Sequence, residues 1–188
     1  MVGSAMNERY KIAYKGLGAG LHHFDFEIDS DFFGRHDGSE IKGGSAAVGV
    51  ELERKSSMLS LRVHITGAVT VACDRCLEDC ELPIDFRGKL IVKFSDEQIP
   101  SDGDVMWLSP AESLLDLEQY IYESIVLALP FRRVHPEDVH GTPLCNPAML
   151  ERFRIVTPEQ FEHLTAEKPV GEDPRWAKLK ELKTNEKE

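Results

Sequence analysis

Between Val48 and Phe94 the chain alternates apolar and polar residues, run after run. Val48, Val50 and Leu52 interleave with Gly49, Glu51 and Glu53; Leu59, Leu61, Val63 and Ile65 interleave with Ser60, Arg62, His64 and Thr66. Val69, Val71 and Cys73 keep the period, and Ile84, Phe86, Gly88, Leu90, Val92 and Phe94 resume it. A period of two puts one set of side chains on a core face and the other in water, so these segments are strands with one solvated side. Tyr10, Ile12 and Tyr14, then Phe24, Phe26 and Ile28, repeat the pattern upstream. Short links between successive strands favour an antiparallel meander or a partly open barrel. Gly67 marks a bulge or a bend. The Gly-, Ser- and Asp-rich stretch from Ser30 to Ala47 reads as a long loop.

The second half changes period. Leu117, Tyr120, Ile121, Ser124, Ile125 and Ala128 recur at helical spacing until Pro130 stops them. Two starts fit this helix: Ser109-Pro110-Ala111-Glu112, with the form of a capping box, or Asp116 followed by Gln119. Asn146-Pro147 opens a short helix, Thr157-Pro158-Glu159-Gln160 another, and Asp173-Pro174-Arg175-Trp176 a third. The fold class expected is α+β, with a sheet from the first half packed by C-terminal helices. Residues 1–165 form one domain; residues 166–188 are a linker and a helical tail.

Charge limits the partners. The chain carries 22 Lys and Arg against 33 Asp and Glu, a net charge of −11, which argues against broad non-specific binding to phosphates. The imbalance lies in residues 94–188, with 10 basic against 19 acidic side chains; residues 1–93 hold 12 against 14 and leave room for a basic face. No apolar run approaches the roughly 18–20 residues of a membrane span, and the first residues lack the apolar stretch of a signal peptide. A cytoplasmic location is the expectation.

Cys73, Cys76 and Cys80 lie within one run, CDRCLEDC, and Cys145 stands apart. Two thiolates separated by two residues converge on one metal ion in zinc knuckles, and such a site needs two further ligands. Cys80, His135, His140 and Cys145 are the candidates. Two other readings stand beside a structural zinc site. The thiols are small hydrophobes packing a strand and a turn, or Cys73 and Cys76 form a redox pair, although that motif opens a helix and here strands surround it. No nucleophile elbow is legible, so no hydrolase is indicated.

On the strand after the knuckle Asp85, Arg87, Lys89, Ile91 and Lys93 share one face. Three cations at period two suit a phosphate backbone, with Arg62 on a neighbouring strand and Arg75 in the turn extending the patch. An ordinary solvated face carries the same residues. His22, His23 and His64 are candidate metal ligands or bases, although His64, on the polar side of a strand, reads as exposed; Trp107 and Trp176 read as core or docking anchors.

Four segments, in order, resemble the YceD family of large ribosomal RNA subunit accumulation proteins. GLHHFDFEIDSDFF resembles the family's amino-terminal strand. VTVACDRCLEDCELPIDF resembles its Cys-x-Arg-Cys-Leu hallmark and return strand. LLDLEQYIYESIVLALP resembles its helix, and DPRWAKLKEL its tail, so the likeness runs from about Tyr10 to about Leu182. The resemblance implies a role in accumulation or processing of large-subunit ribosomal RNA, with no known reaction. It makes Cys73, Arg75 and Cys76 hallmark positions. Many relatives carry further cysteines after the helix; this chain has His135, His140 and Cys145 there, and His replaces Cys acceptably at zinc.

The expectation is therefore a non-catalytic ribosome-biogenesis factor. Its partner is large-subunit ribosomal RNA or a ribosomal protein, with no membrane and no small-molecule substrate. Arg62, Arg75, Arg87, Lys89 and Lys93 are the expected contacts. Cys73, Cys76, His135 and Cys145 are the expected ligands of a possible zinc ion. A zinc-knuckle protein-interaction module and a CxxC thiol redox protein are the alternatives.

Overall fold

The computed structural model describes residues 9–97, 100, 103–151 and 160–161. The chain divides into two compact units, Met1–Asn146 and Pro147–Glu188. The first unit holds a five-stranded sheet in the order β2-β3-β4-β5-β6, formed by Gly20–Ile28, Ile41–Arg54, Met58–Ala72, Asp79–Phe94 and Val105–Leu108. A separate two-stranded ribbon pairs β1 (Lys11–Ile12) with β7 (Leu115–Asp116). Helix α1 spans Ser30–Phe33 and α2 spans Glu118–Ala128.

The alternation is realised strand by strand. Leu59, Leu61, Val63, Ile65, Val69 and Val71 of β4 are buried, while Arg62, His64 and Thr66 face solvent. Tyr10, Phe32, Phe33, Leu115, Leu117, Ile121 and Ile125 are fully buried too. They belong to β1 and its lead-in, α1, β7 and α2, and α1 and α2 lie against β3 and β5. Tyr10 meets Phe32 edge to face at 5.1 Å, and Tyr14 stacks on Phe94 at 5.5 Å. The sheet is thus covered on one face, and the charged faces of β2 to β5 are left in water.

Three expectations need correction. First, the sheet is mixed and open. β2 to β5 are antiparallel as expected, but β6 runs parallel to β5, with Val105 opposite Ile91 and Leu108 opposite Phe94, and among the described residues the sheet does not close. Second, the stretch from Ser30 to Ala47 is not one long loop. The Asp29 carboxylate caps α1 by accepting the Phe32 N–H at 3.2 Å, and β3 begins at Ile41. Its glycines mark contact: Gly44 has φ of +145°, and a Cβ there would lie 2.5 Å from the Ala68 carbonyl oxygen. Third, Ser109 opens a turn and not a helix. The Lys15 ammonium and the Tyr14 hydroxyl donate to the carbonyls of Pro110, Ala111 and Glu112, which a helix would have used itself.

The second proposed start is the one used: the Asp116 carboxylate accepts the Glu118 N–H at 2.9 Å. At the other end Leu129, which precedes Pro130, is extended at φ −62°, ψ 138°. In the second unit the helix expected after Asn146 is present as α3, Pro147–Leu150. Gln160 and Phe161 are helical, whereas residues 157–159, the segment 166–172 and the helix expected from Asp173 lie outside the described residues. Among the described residues no helix is long and apolar enough to cross a membrane.

Gly67 is a point of close strand approach, with no register shift beside it in either neighbour. A Cβ there would sit 2.2 Å from the Ser45 carbonyl oxygen and 2.6 Å from the Ala46 Cα. Gly67→Ala is expected to lower stability by about 1–3 kcal/mol in urea unfolding with unchanged slope. Gly18→Ala, where nothing lies within 4 Å, is the neutral control.

Candidate functional site: a cysteine-histidine cluster and a charged sheet face

The link between β4 and β5 is a tight turn that the CDRCLEDC run builds. The Cys73 carbonyl accepts the Leu77 N–H at 2.9 Å, and the Glu78 carbonyl accepts the Cys73 N–H at 2.8 Å. Leu77 takes the left-handed conformation, φ +63°, that lets the chain double back. Cys73 and Cys76 are both buried under this turn. A second loop meets it. His135 and Cys145 flank a small hairpin, closed by Leu144 N–H to Pro136 O at 3.0 Å and Asp138 N–H to Thr142 O at 2.8 Å.

The four expected ligands converge. One donor atom from each of Cys73, Cys76, His135 and Cys145 lies within 4.8 Å of every other. Cys73 Sγ is 3.8 Å from Cys145 Sγ, and Cys76 Sγ is 3.4 Å from His135 Nδ1. A tetrahedral ion with Zn–S of about 2.3 Å separates its sulfurs by about 3.8 Å, so the cluster has the dimensions of a structural zinc site. The outer contacts fit as well. His135 Nε2 lies 3.0 Å from the Asp79 carbonyl, so with an ion bound that nitrogen would keep the proton and Nδ1 would be the ligand atom. The two loops are also clasped by Asp74 and Arg133, whose backbone N–H groups donate to the Arg133 carbonyl and the Asp74 carboxylate, each at 2.7 Å.

Cys80 is not part of the cluster. It is buried on β5, with only a long contact of 3.9 Å to the Glu81 carbonyl, and packs as a small hydrophobe. His140 is exposed at the hairpin tip. Sequence offered four candidates for the two missing ligands; the spacing alone carried no signal for the Asp79 carbonyl or the Asp74–Arg133 clasp, which depend on how the loops meet.

Thiol acidity is split across the cluster. Burial pushes the Cys73 thiol up, but backbone N–H donors at Cys76 and Arg75, with His135, outweigh it and hold Cys73 at about 6. Burial and the Cys73 sulfur beside it push Cys145 up to about 11. Burial, then the sulfurs of Cys73 and Cys76, also raise Cys80.

The solvent face of the sheet orders the predicted cations. Register places Arg62 directly opposite Lys89 and His64 directly opposite Arg87. Like charges so placed repel, and Glu51 on β3 offsets this through a 2.7 Å bond from Arg62 Nε. Arg87 Nε lies 3.7 Å from Asp85, and His64 Nε2 lies 3.0 Å from the same carboxylate. Lys93 sits four residues beyond Lys89, its ammonium 5.5 Å from the ring centre of the half-buried Trp107. Arg75 belongs to the knuckle, ten residues of β4 and about 30 Å from the Arg62 rung. The basic strip and the hallmark arginine are therefore separate features. β2 and β3 add Asp25, Glu27, Glu51 and Glu53 to this face beside Asp85 of β5, an arrangement that single-strand reading did not find.

Residues 61–183 match the family of the large ribosomal RNA subunit accumulation protein YceD, and the chain belongs to that family. No curated protein and no solved structure matches it. The family name ties the chain to accumulation of large-subunit ribosomal RNA; the matched span includes the knuckle, β5 with its cations, α2, His135 and Cys145.

Because Cys73 is lowered relative to an unfolded thiol near 9, its contribution to stability is present above that value and lost as pH falls through about 6. Cys145, raised, contributes below 9 and loses its contribution as pH rises through about 11. Metal-free protein should show one thiolate by ultraviolet absorbance already at neutral pH, and His135→Ala should move that titration upward.

Proposed function

We propose that this protein is a non-catalytic, cytoplasmic factor of ribosome biogenesis that supports the accumulation of large-subunit ribosomal RNA by binding RNA through its solvent-facing sheet. The observation that carries the RNA reading is the strip of Arg62, Arg87, Lys89 and Lys93 on adjacent strands, held on rigid backbone and facing water within the span that matches the family. Cations held on paired strands keep their spacing, which suits successive phosphates. Acids share this face, Asp25, Glu51 and Asp85 among them, so attraction for phosphate is confined to the strip itself and contact is selective in orientation despite the net charge of −11. The alternative of a CxxC redox protein has less support, because Cys73 and Cys76 are both turned inward and each faces a further ligand.

Cys73, Cys76, His135 and Cys145 are proposed to hold one structural zinc ion. All four positions are filled by protein, so no open position remains for catalysis at the metal. The ion joins the β4–β5 knuckle to the loop after α2, where Phe131 and Val139 are almost fully exposed and hydrophobic packing is thin. Arg75, on the knuckle, then belongs to a second contact surface whose geometry depends on the metal.

Protein purified without chelator is expected to contain one zinc per chain by elemental analysis. Cys73→Ala and Cys145→Ala lose it; Cys80→Ala keeps it. A metal-free native protein would sink the assignment.

Titration of large-subunit RNA fragments against salt tests the RNA reading. The Arg87→Ala/Lys89→Ala variant is expected to lower the slope of log K on log salt by about 1.4, near 0.7 per lost single-strand contact. Adding Arg75→Ala separates the two surfaces. Affinity and slope unchanged by all three changes would overturn the RNA reading.

A further inference from the structure

The solvent face of the sheet carries a depression of about 700 Å³, inside the roughly 300–1,000 Å³ range of small-ligand pockets. Its cause is one residue. On the rung Asp25–Gly49–His64–Arg87 the second position has no side chain. The next rung, His23–Glu51–Arg62–Lys89, walls one side. The two banks differ in charge. Asp25 leans over the gap, its Oδ1 3.8 Å from where a Gly49 Cβ would stand, and it makes no hydrogen bond or ion pair among the described residues. Lys89 on the far bank is likewise without an ion pair, beside an Arg87 only loosely held by Asp85 at 3.7 Å. The imidazole of His64 stands between the banks, anchored to Asp85 at 3.0 Å.

An anionic group satisfies the Arg87–Lys89 bank, while Asp25, an acceptor without a donor, requires N–H or O–H groups about three strand spacings, roughly 14 Å, away. A nucleotide offers both: a phosphate at one end, and base amino groups and ribose hydroxyls at the other. A base inside a duplex cannot enter such a depression, because its edges are paired and its faces stacked. We propose that the Gly49 depression seats one unstacked nucleotide of a single-stranded RNA segment, with its phosphate toward Arg87 and Lys89 and its sugar or base donors toward Asp25. This rests on the RNA reading above and narrows it from a charged face to a subsite.

Gly49 offers a charge-neutral test. Its φ is not in the left-handed region, and a Cβ there makes only ordinary contacts at 3.8 and 4.0 Å, so larger residues fit the backbone. Gly49→Ala and Gly49→Leu fill the depression by steps, and thermal melting confirms that each is folded. Binding is measured with a short mixed-sequence single-stranded RNA, the same sequence as a duplex, the DNA equivalent, and adenosine monophosphate. Gly49→Leu is expected to weaken single-stranded RNA about tenfold, Gly49→Ala less, and duplex RNA not at all. Asp25→Asn should narrow the preference for RNA over DNA. If Gly49→Leu binds the single strand as the native protein does while Arg87→Ala/Lys89→Ala does not, the subsite is wrong and the RNA face stands. If the native protein binds no RNA, the RNA reading falls and the subsite with it. If adenosine monophosphate binds as tightly as the single strand and is lost equally in Gly49→Leu, the depression serves a free nucleotide and the proposal is overturned.

Discussion

Strands β4 and β5 pair without interruption from Met58 opposite Lys93 to Ala72 opposite Asp79. Everything else of interest in the first unit is fixed by that ladder. Because side chains alternate with a period of two, sliding β4 by a single residue would expose Val63 and Ile65 and bury Arg62 and His64. The same slip would bring Asp79, in place of Cys80, opposite Val71. The register therefore sets the core, the cation strip and the knuckle together. The knuckle is the turn at one end of the ladder, and its tightness, with Leu77 in the left-handed region, leaves little freedom for another register.

A metal would act on this arrangement from outside the sheet. Its first two ligands come from the turn that joins the longest strands, and its other two from a loop that has little apolar material to hold it. The chain between His135 and Cys145 makes its own hairpin bonds, yet its tip residues Val139 and His140 are exposed. Hydrophobic burial of the kind that fixes α2 through Leu117, Ile121 and Ile125 is not present there. The Asp74–Arg133 clasp and the His135–Asp79 bond align the loop with the knuckle. Those bonds pre-position the donors, so an arriving ion does not have to gather four ligands from disordered chain.

What was legible in the sequence followed from local periodicity. Alternation identified the cores of β2 to β5, and Pro130 marked the end of α2, because each depends on neighbours a few residues away. The failures share a different origin. The start of β3 was hidden because Gly43 and Gly44 look like loop residues, whereas they are small so that Ser30 and Ala68 can approach. Ser109 has a sound capping pattern, but Tyr14 and Lys15, nearly a hundred residues away, take the carbonyls that its helix needed. The parallel pairing of β6 is likewise a long-range outcome. The cluster was partly readable: the Cys73–Cys76 spacing named half of it, and His135 and Cys145 were two of four candidates, which only the folding back of the loop brings together with the knuckle.

The sheet face shows why residue type and residue position must be read together. Taken singly, Arg62, Arg87, Lys89, Glu51 and Asp25 are ordinary surface charges, and most pairs among exposed charges contribute little, about 0–1 kcal/mol. Their placement gives them meaning. On the Gly49 rung and the next, Asp25 and Glu51 stand on β2 and β3 while Arg62, Arg87 and Lys89 stand on β4 and β5, and Gly49 leaves a gap between them. Filling that position with a β-branched residue would favour the strand and extend its packing surface; glycine there does neither. Its φ is not left-handed and no neighbouring backbone crowds it, so neither turn geometry nor close approach explains the choice. What remains is the space itself, with the unpaired Asp25 carboxylate over one side and Lys89, without an ion pair among the described residues, beside Arg87 on the other. A surface that served only solubility would have no need of the gap.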